Sequence, residues 1–208
     1  MTASWNAPKQ ERSLRRFDQL LESAAVLFAK HGIDVVSTNH IAEHASIPIG
    51  SLYQFFPSKE SLLAALIDQY TREMADAFPA AFDPAVPFEI VVGGVVDALI
   101  EFDAQHAAFG QLLVHLASPR YTAYVRIMQD VIVTYVELML GVYFTALNDE
   151  QRRRCALVGF GVVKGLSELT GLDRALLATE ITTVLIAYVH AFVARETTAG
   201  VNDKSGKQ

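Results

Sequence analysis

Between residues 37 and 60 the chain gathers Ser37, Thr38, Asn39, Ser51, Tyr53, Gln54 and Lys59 within two short amphipathic segments. Hydroxyls, side-chain amides and an ammonium at this spacing suit recognition by hydrogen bonding, of the kind that reads a nucleic-acid duplex. Groups suited to bond-making are absent from the pattern. The histidines at 31, 40, 44, 106, 115 and 190 show no metal-ligand spacing with carboxylates. His40 and His44 are one helical turn apart but lie inside the recognition segment. Gly159-Phe160-Gly161 lacks the strand and helix context of a nucleotide fingerprint. The single cysteine, Cys155, sits in an apolar run and reads as a small buried hydrophobe. The expectation is a protein that is not an enzyme and needs no cofactor.

Helices must position these groups. Glu11 to His31 carries apolar residues at Leu14, Phe17, Leu20, Leu21, Ala24, Leu27 and Phe28, a 3.6-residue period, with Gly32 placed to end it. Ser37 is placed to cap a short helix from Thr38 to Ala45, and Pro48 to open another reaching Phe55 or Phe56. Pro57-Ser58 then interrupts and caps a helix from Lys59 to about Ala77. Ile41, Ala42, Ala45, Ile47, Leu52 and Phe56 can close a small core with Phe17, Leu21 and Phe28. That leaves Ile49, Ser51, Tyr53 and Gln54 facing outward, which makes a helix-turn-helix whose second helix can enter a major groove.

Phe78 to Pro87 holds three prolines and reads as a loop. Helices are expected beyond it at about 88–106, 108–117, 120–147, 149–169 and 174–196. The fold class is all-α: an N-terminal three-helix helix-turn-helix domain, then a C-terminal helical ligand-binding and dimerisation domain. The expected divisions are a disordered tail at 1–10, the first domain at 11–58, the second at 59–196 and a disordered tail at 197–208.

Residues 11–66 resemble the TetR family of bacterial regulators. The run Leu20-Leu21-Glu22-Ser23-Ala24-Ala25-Val26-Leu27-Phe28, then Gly32, Ile41-Ala42, Ala45, Gly50-Ser51-Leu52-Tyr53, Phe56, Ser58-Lys59-Glu60 and Leu62 carry the likeness. The resemblance implies that Ser37, Thr38, Tyr53 and Lys59 hold phosphates, and that Asn39, Ile49, Gly50, Ser51 and Gln54 approach base edges. Arg15 and Arg16 would reach the flanking backbone. Three positions depart from the pattern. Ser46 stands where glycine is common, Pro48 replaces a small polar cap, and His40 stands where an acid would complete a capping box with Ser37.

Net charge is −6, from 17 Lys and Arg against 23 Asp and Glu. The first sixty residues balance, six against six, so the deficit lies beyond them. This charge pattern permits a DNA partner without demanding one. No apolar segment near the N-terminus resembles a signal peptide, and Ile181–Ala194 is shorter than a membrane span. A cytoplasmic protein with no membrane partner is expected.

The last two helices are apolar on more than one face, so one face is expected to meet a second copy. The dimer residues are Gly159, Val162, Leu166, Ile181, Leu185, Tyr188, Val189 and Phe192, and a two-fold dimer requires a palindromic operator on double-stranded DNA. The resemblance places an effector pocket among the middle helices, with Phe102, His106, Phe109, Leu113, Tyr124, Met128, Tyr135 and Phe160 as its lining. Their character suits a small hydrophobic or aromatic effector. The reading is a dimeric, ligand-responsive repressor. The competing reading is a helical ligand carrier or adaptor whose helix-turn-helix no longer binds DNA.

Overall fold

The computed structural model describes residues 5–8, 10–78, 81–167 and 173–205. Among them are nine α-helices, one 3-10 turn and no strand. The helices are α1 (Glu11–His31), α2 (Thr38–His44), α3 (Ile49–Phe55), α4 (Lys59–Asp76), α5 (Phe88–Gln105), α6 (Ala107–Leu116), α7 (Thr122–Tyr143), α8 (Asp149–Ser167) and α9 (Arg174–Ser205). The all-α expectation holds. The expected helix at 120–147 instead begins as a 3-10 turn, Pro119–Tyr121, because the proline sets its first turn. Leu169, the expected end of the eighth helix, lies outside the described residues. α9 runs past Glu196, where the Thr197 and Thr198 hydroxyls donate back to the Val193 and Ala194 carbonyls and stay within the helical pattern.

The chain forms two compact units. The first comprises residues 1–74 and 103–128, so it takes in more than the 11–58 expected of the first domain. α6 packs along α1, and the His115 ring lies 3.1 Å from the Ala29 carbonyl through Nε2. Gly32 ends α1 at φ +85, and a Cβ there would press on the His115 ring at 3.4 Å. Both its backbone angle and its neighbour call for glycine. The core of this unit is Leu20, Phe28, Ile41, Leu52, Phe56 and Leu62, each 0% exposed. Full burial of side chains this size stabilises by roughly 1.5–3 kcal/mol each.

The second unit comprises residues 75–102 and 129–208. Phe88, Val92, Met139, Leu140, Cys155, Ile181, Val189 and Phe192 form its core. Burial pushes the Cys155 thiol up to about 11, so it stays protonated and inert. Arg152, Arg153 and Arg154 lie in the first turns of α8, each paired with an acid. Arg152 donates to the Leu147 carbonyl at 2.6 Å and pairs with Asp149, Arg153 pairs with Asp130 and Glu137, and Arg154 reaches Glu196 at 2.7 Å. These acids offset the unfavourable placement of cations at a helix N-terminus.

Candidate nucleic-acid interface

α2 begins on a reciprocal cap. The His40 N–H donates to Ser37 Oγ at 3.2 Å, and the Ser37 N–H donates to His40 Nδ1 at 3.5 Å. The histidine that departs from the family pattern therefore completes the capping box itself, its ring nitrogen replacing a carboxylate as acceptor. At the other end of α2 the Ile47 N–H bonds the Ala42 carbonyl at 2.9 Å and the Ser46 N–H bonds that of Glu43 at 3.0 Å. This is a Schellman closure, and it forces Ser46 to φ +54. Ser46 is the residue with positive φ other than glycine among those described. Ser46→Gly is expected to stabilise the chain by about 0.5–1 kcal/mol, since the serine pays a steric cost there that glycine does not. A thermal melt checks this, and a lower melting temperature would show that the hydroxyl contributes more than the strain costs.

Closure of the turn fixes which face of α3 is free. Pro48 supplies its first carbonyl to the Ser51 N–H at 2.8 Å. Leu52 and Phe56 point inward at 0% exposure, and Phe17 lies against Phe56 with ring centroids 4.8 Å apart. On the opposite side Gly50, Tyr53 and Gln54 are exposed, Tyr53 by 49%, while Ile49 and Ser51 are half-buried. A hydroxyl pair, Thr38 Oγ1 to Tyr53 OH at 3.0 Å, ties α2 to α3 across this surface. Asn39 is exposed in the first turn of α2, and Arg16 is exposed on α1 beside Arg15, which pairs with Glu11 at 2.6 Å. Ser37, Thr38, Asn39, Ile49, Gly50, Ser51, Tyr53 and Gln54 thus lie on α2, α3 and the cap of α2.

Lys59 is placed differently. Its Nζ donates to the carbonyls of Ile33 at 2.7 Å, Val36 at 2.9 Å and Asp34 at 3.2 Å. An ammonium has three N–H donors, and three carbonyls of the α1–α2 connection accept them.

Several supporting contacts join residues far apart in sequence. Gln19 Nε2 donates to the Ala45 carbonyl at 2.8 Å, capping α2 from α1. Asn6 lies in the segment read as a disordered tail, yet it satisfies the end of α3. Its Nδ2 donates to the Gln54 carbonyl at 3.1 Å and its N–H to that of Phe55 at 2.9 Å. Asp34 accepts from the Tyr121 hydroxyl at 2.7 Å and from Arg120 at 2.9 Å. Burial and that carboxylate push the Tyr121 phenol up to about 12. No local signal in the sequence marks any of these pairs.

The residues expected to line an effector pocket divide between the units. His106, Phe109, Leu113, Tyr124 and Met128 belong to the first. His106 Nε2 lies 2.9 Å from a Glu73 carboxylate oxygen, and Tyr70 packs on both His106 and Phe109. The Tyr124 hydroxyl reaches the Glu60 carbonyl at 3.4 Å. Phe102, Tyr135 and Phe160 belong to the second unit, where Phe102 is buried and Tyr135 lines a cavity.

Of the residues expected to meet a second copy, Ile181, Val189 and Phe192 are 1%, 6% and 2% exposed and face their own unit's core. Leu166, Leu185 and Tyr188 pack half-buried against that core, Val162 is half-buried, and a Cβ on Gly159 would touch Leu185 at 3.6 Å. The apolar surface left open is Leu157 and Val158 on α8 with Leu176 and Val184 on α9. By length and composition the 174–198 part of α9 could cross a membrane. Its inward residues are instead part of the core just described.

The family model described as bacterial regulatory proteins, tetR family, matches residues 20–66, and that of the tetracyclin repressor-like C-terminal domain matches residues 87–189. The repressor KstR2 of Rhodococcus jostii is 30% identical over 64% of this chain and 66% of its own length. The uncharacterized regulator YhgD of Bacillus subtilis is 29% identical over 45% of this chain and 49% of its own. The chain thus spans about two thirds of KstR2 of R. jostii and about half of YhgD, and less than half of several other curated relatives. Salmonella enterica GusR shares the fold with a TM-score of 0.71 at 19% identity, covering 88% of this chain and 98% of that one.

Proposed function

Because this chain belongs to the TetR family of bacterial regulatory proteins, we propose that it is a cytoplasmic repressor that binds a palindromic DNA operator as a homodimer and is released by a small hydrophobic or aromatic effector. The observation that carries the reading is α3. Its inner face is sealed by Leu52 and Phe56, while Tyr53 and Gln54 stand in solvent with a hydroxyl and an amide to offer. A helix that spends an aromatic residue and an amide on its open face suits a major groove better than water.

Roles follow from the donors left free. Ser37 accepts the cap with its oxygen and keeps its O–H for a phosphate, and Thr38 and Tyr53 share one hydrogen bond and retain a second hydroxyl proton between them. Gln54 and Asn39 address base edges, Ile49, Gly50 and Ser51 let the duplex approach closely, and Arg15 and Arg16 supply flanking positive charge. The dimer uses the outer faces of α8 and α9. Repression is supported by the name of the R. jostii relative.

The experiment is selection of bound duplexes from a randomised pool at moderate salt. A palindromic site should be recovered, and Gln54→Ala should weaken binding to it by about 10-fold, from loss of roughly 1–3 kcal/mol of base discrimination. A folded, dimeric protein that enriches no sequence would leave the carrier or adaptor reading in its place.

A further inference from the structure

A cavity of about 560 Å³ opens in the second unit beside the C-terminal end of α4. Its walls are Phe78 and Phe82 from the connection after α4, Leu138 and Val142 of α7, and the ring of Tyr135. The Tyr135 ring stacks on Phe78 with centroids 4.4 Å apart and planes 22° apart, and Phe82 tilts against it at 4.8 Å. Leu138 is 62% exposed, so its side chain is open to contact at the cavity. Aromatic rings and aliphatic side chains together line the cavity, a surface suited to an apolar, ring-bearing molecule.

Two polar groups break the apolar lining. The Tyr135 hydroxyl is buried and has no hydrogen-bond partner among the described residues. A buried donor left unpaired is costly, and a ligand that supplies an acceptor recovers that cost on binding. Burial also pushes the phenol up to about 12, so it stays protonated and acts as a donor. The second group is the exposed carboxylate of Asp76, whose negative charge disfavours an anionic ligand.

We propose that this cavity binds a neutral, flat aromatic molecule carrying a carbonyl oxygen, with the Tyr135 hydroxyl donating to that oxygen. The assignment deepens the effector reading and rests on it for regulation, but not for binding. The contacts divide the work: Phe78, Phe82 and Leu138 supply affinity for the rings, and Tyr135 separates a ketone from the hydrocarbon of the same shape. Asp76 disfavours the carboxylate.

Three probes of one skeleton test it: 9-fluorenone, fluorene and fluorene-9-carboxylate, each measured by equilibrium dialysis against the full chain without DNA. Fluorenone should bind about tenfold more tightly than fluorene, the range expected of one recovered buried hydrogen bond, and the carboxylate should bind more weakly than either. Tyr135→Phe should erase the preference for the ketone while melting no lower than the wild type, because the unpaired hydroxyl is gone. Leu138→Arg, at an exposed position, should leave the fold intact and remove binding of all three. A ketone preference that survives Tyr135→Phe overturns the proposal, and so does failure of both neutral probes to bind at their solubility limit. Binding that follows the proposed pattern but leaves the DNA complex intact would sustain the site and overturn the effector reading.

Discussion

Val184→Arg is expected to leave the chain folded, to convert the proposed dimer to a monomer, and to weaken operator binding by more than about 100-fold. Val184 is 39% exposed and lies off the inward face of α9 that carries Ile181, Val189 and Phe192. Loss of its methyls therefore costs the protomer little. The cost falls on assembly. An 18-residue window of α9 has a mean hydropathy of 1.7, yet 17% of it is buried within the chain. On α8, added Cβ atoms at Gly161 and Gly165 would meet nothing within 4 Å, so another backbone has room to approach. In a two-fold interface each arginine is brought toward its own symmetry mate, adding like-charge repulsion to the desolvation of two cations.

Losing the dimer removes the second half-site, and with it the effective concentration that makes the second contact intramolecular. Sedimentation velocity, a helical circular dichroism melt and DNA anisotropy on one preparation read the three consequences separately. A dimer that persists with unchanged DNA affinity would move the interface off this face. Ile181→Arg would be uninformative, since a charge at a 1% exposed position unfolds the protomer and so cannot report on assembly.

Periodicity made much of this legible in advance. α1 follows its expected bounds because its apolar stripe repeats at 3.6 residues and Gly32 can take the angle that ends a helix. The helix-turn-helix was equally readable, since Ile41, Leu52 and Phe56 have a single consistent inside. α9 was harder. A helix apolar nearly all round has no preferred inward face, so the sequence could not separate the core-facing Ile181, Val189 and Phe192 from the more exposed Val184. The capping of α2 by His40 escaped a rule written for carboxylates, although an unprotonated ring nitrogen offers the same lone pair. Contacts such as Asp34 with Arg120, or His115 with the Ala29 carbonyl, span 86 residues and leave no local trace. Aromatic character is a weak guide to pocket residues, because a core and a cavity ask for the same residue types; of the eight residues expected in a pocket, Tyr135 lines the cavity described above and Phe102 and Phe109 are buried.

Lys59 brings these strands together, because its type and position fit two roles that predict different experiments. The family likeness implies a phosphate contact, whereas the geometry spends its three donors on the Ile33, Asp34 and Val36 carbonyls. A cation in the first turn of a helix is disfavoured by the dipole, and those three carbonyls offset that penalty. They also fix the connection that delivers Ser37 to the start of α2. Lys59→Met keeps the aliphatic stem and removes the charge. It is expected to cost about 2–4 kcal/mol of stability, in keeping with charge-assisted hydrogen bonds to partly buried carbonyls. Operator affinity should fall because α2 loses its anchor, while the dependence of binding on salt keeps its slope, since no phosphate charge has been left unneutralised. Arg16→Gln should do the reverse, leaving stability unchanged and reducing the slope by about 1. If Lys59→Met lowers the slope by about 1 and melts like the wild type, Lys59 is a phosphate ligand and the clamp falls. If stability falls and the slope stands, the lysine acts on DNA only through the turn it holds.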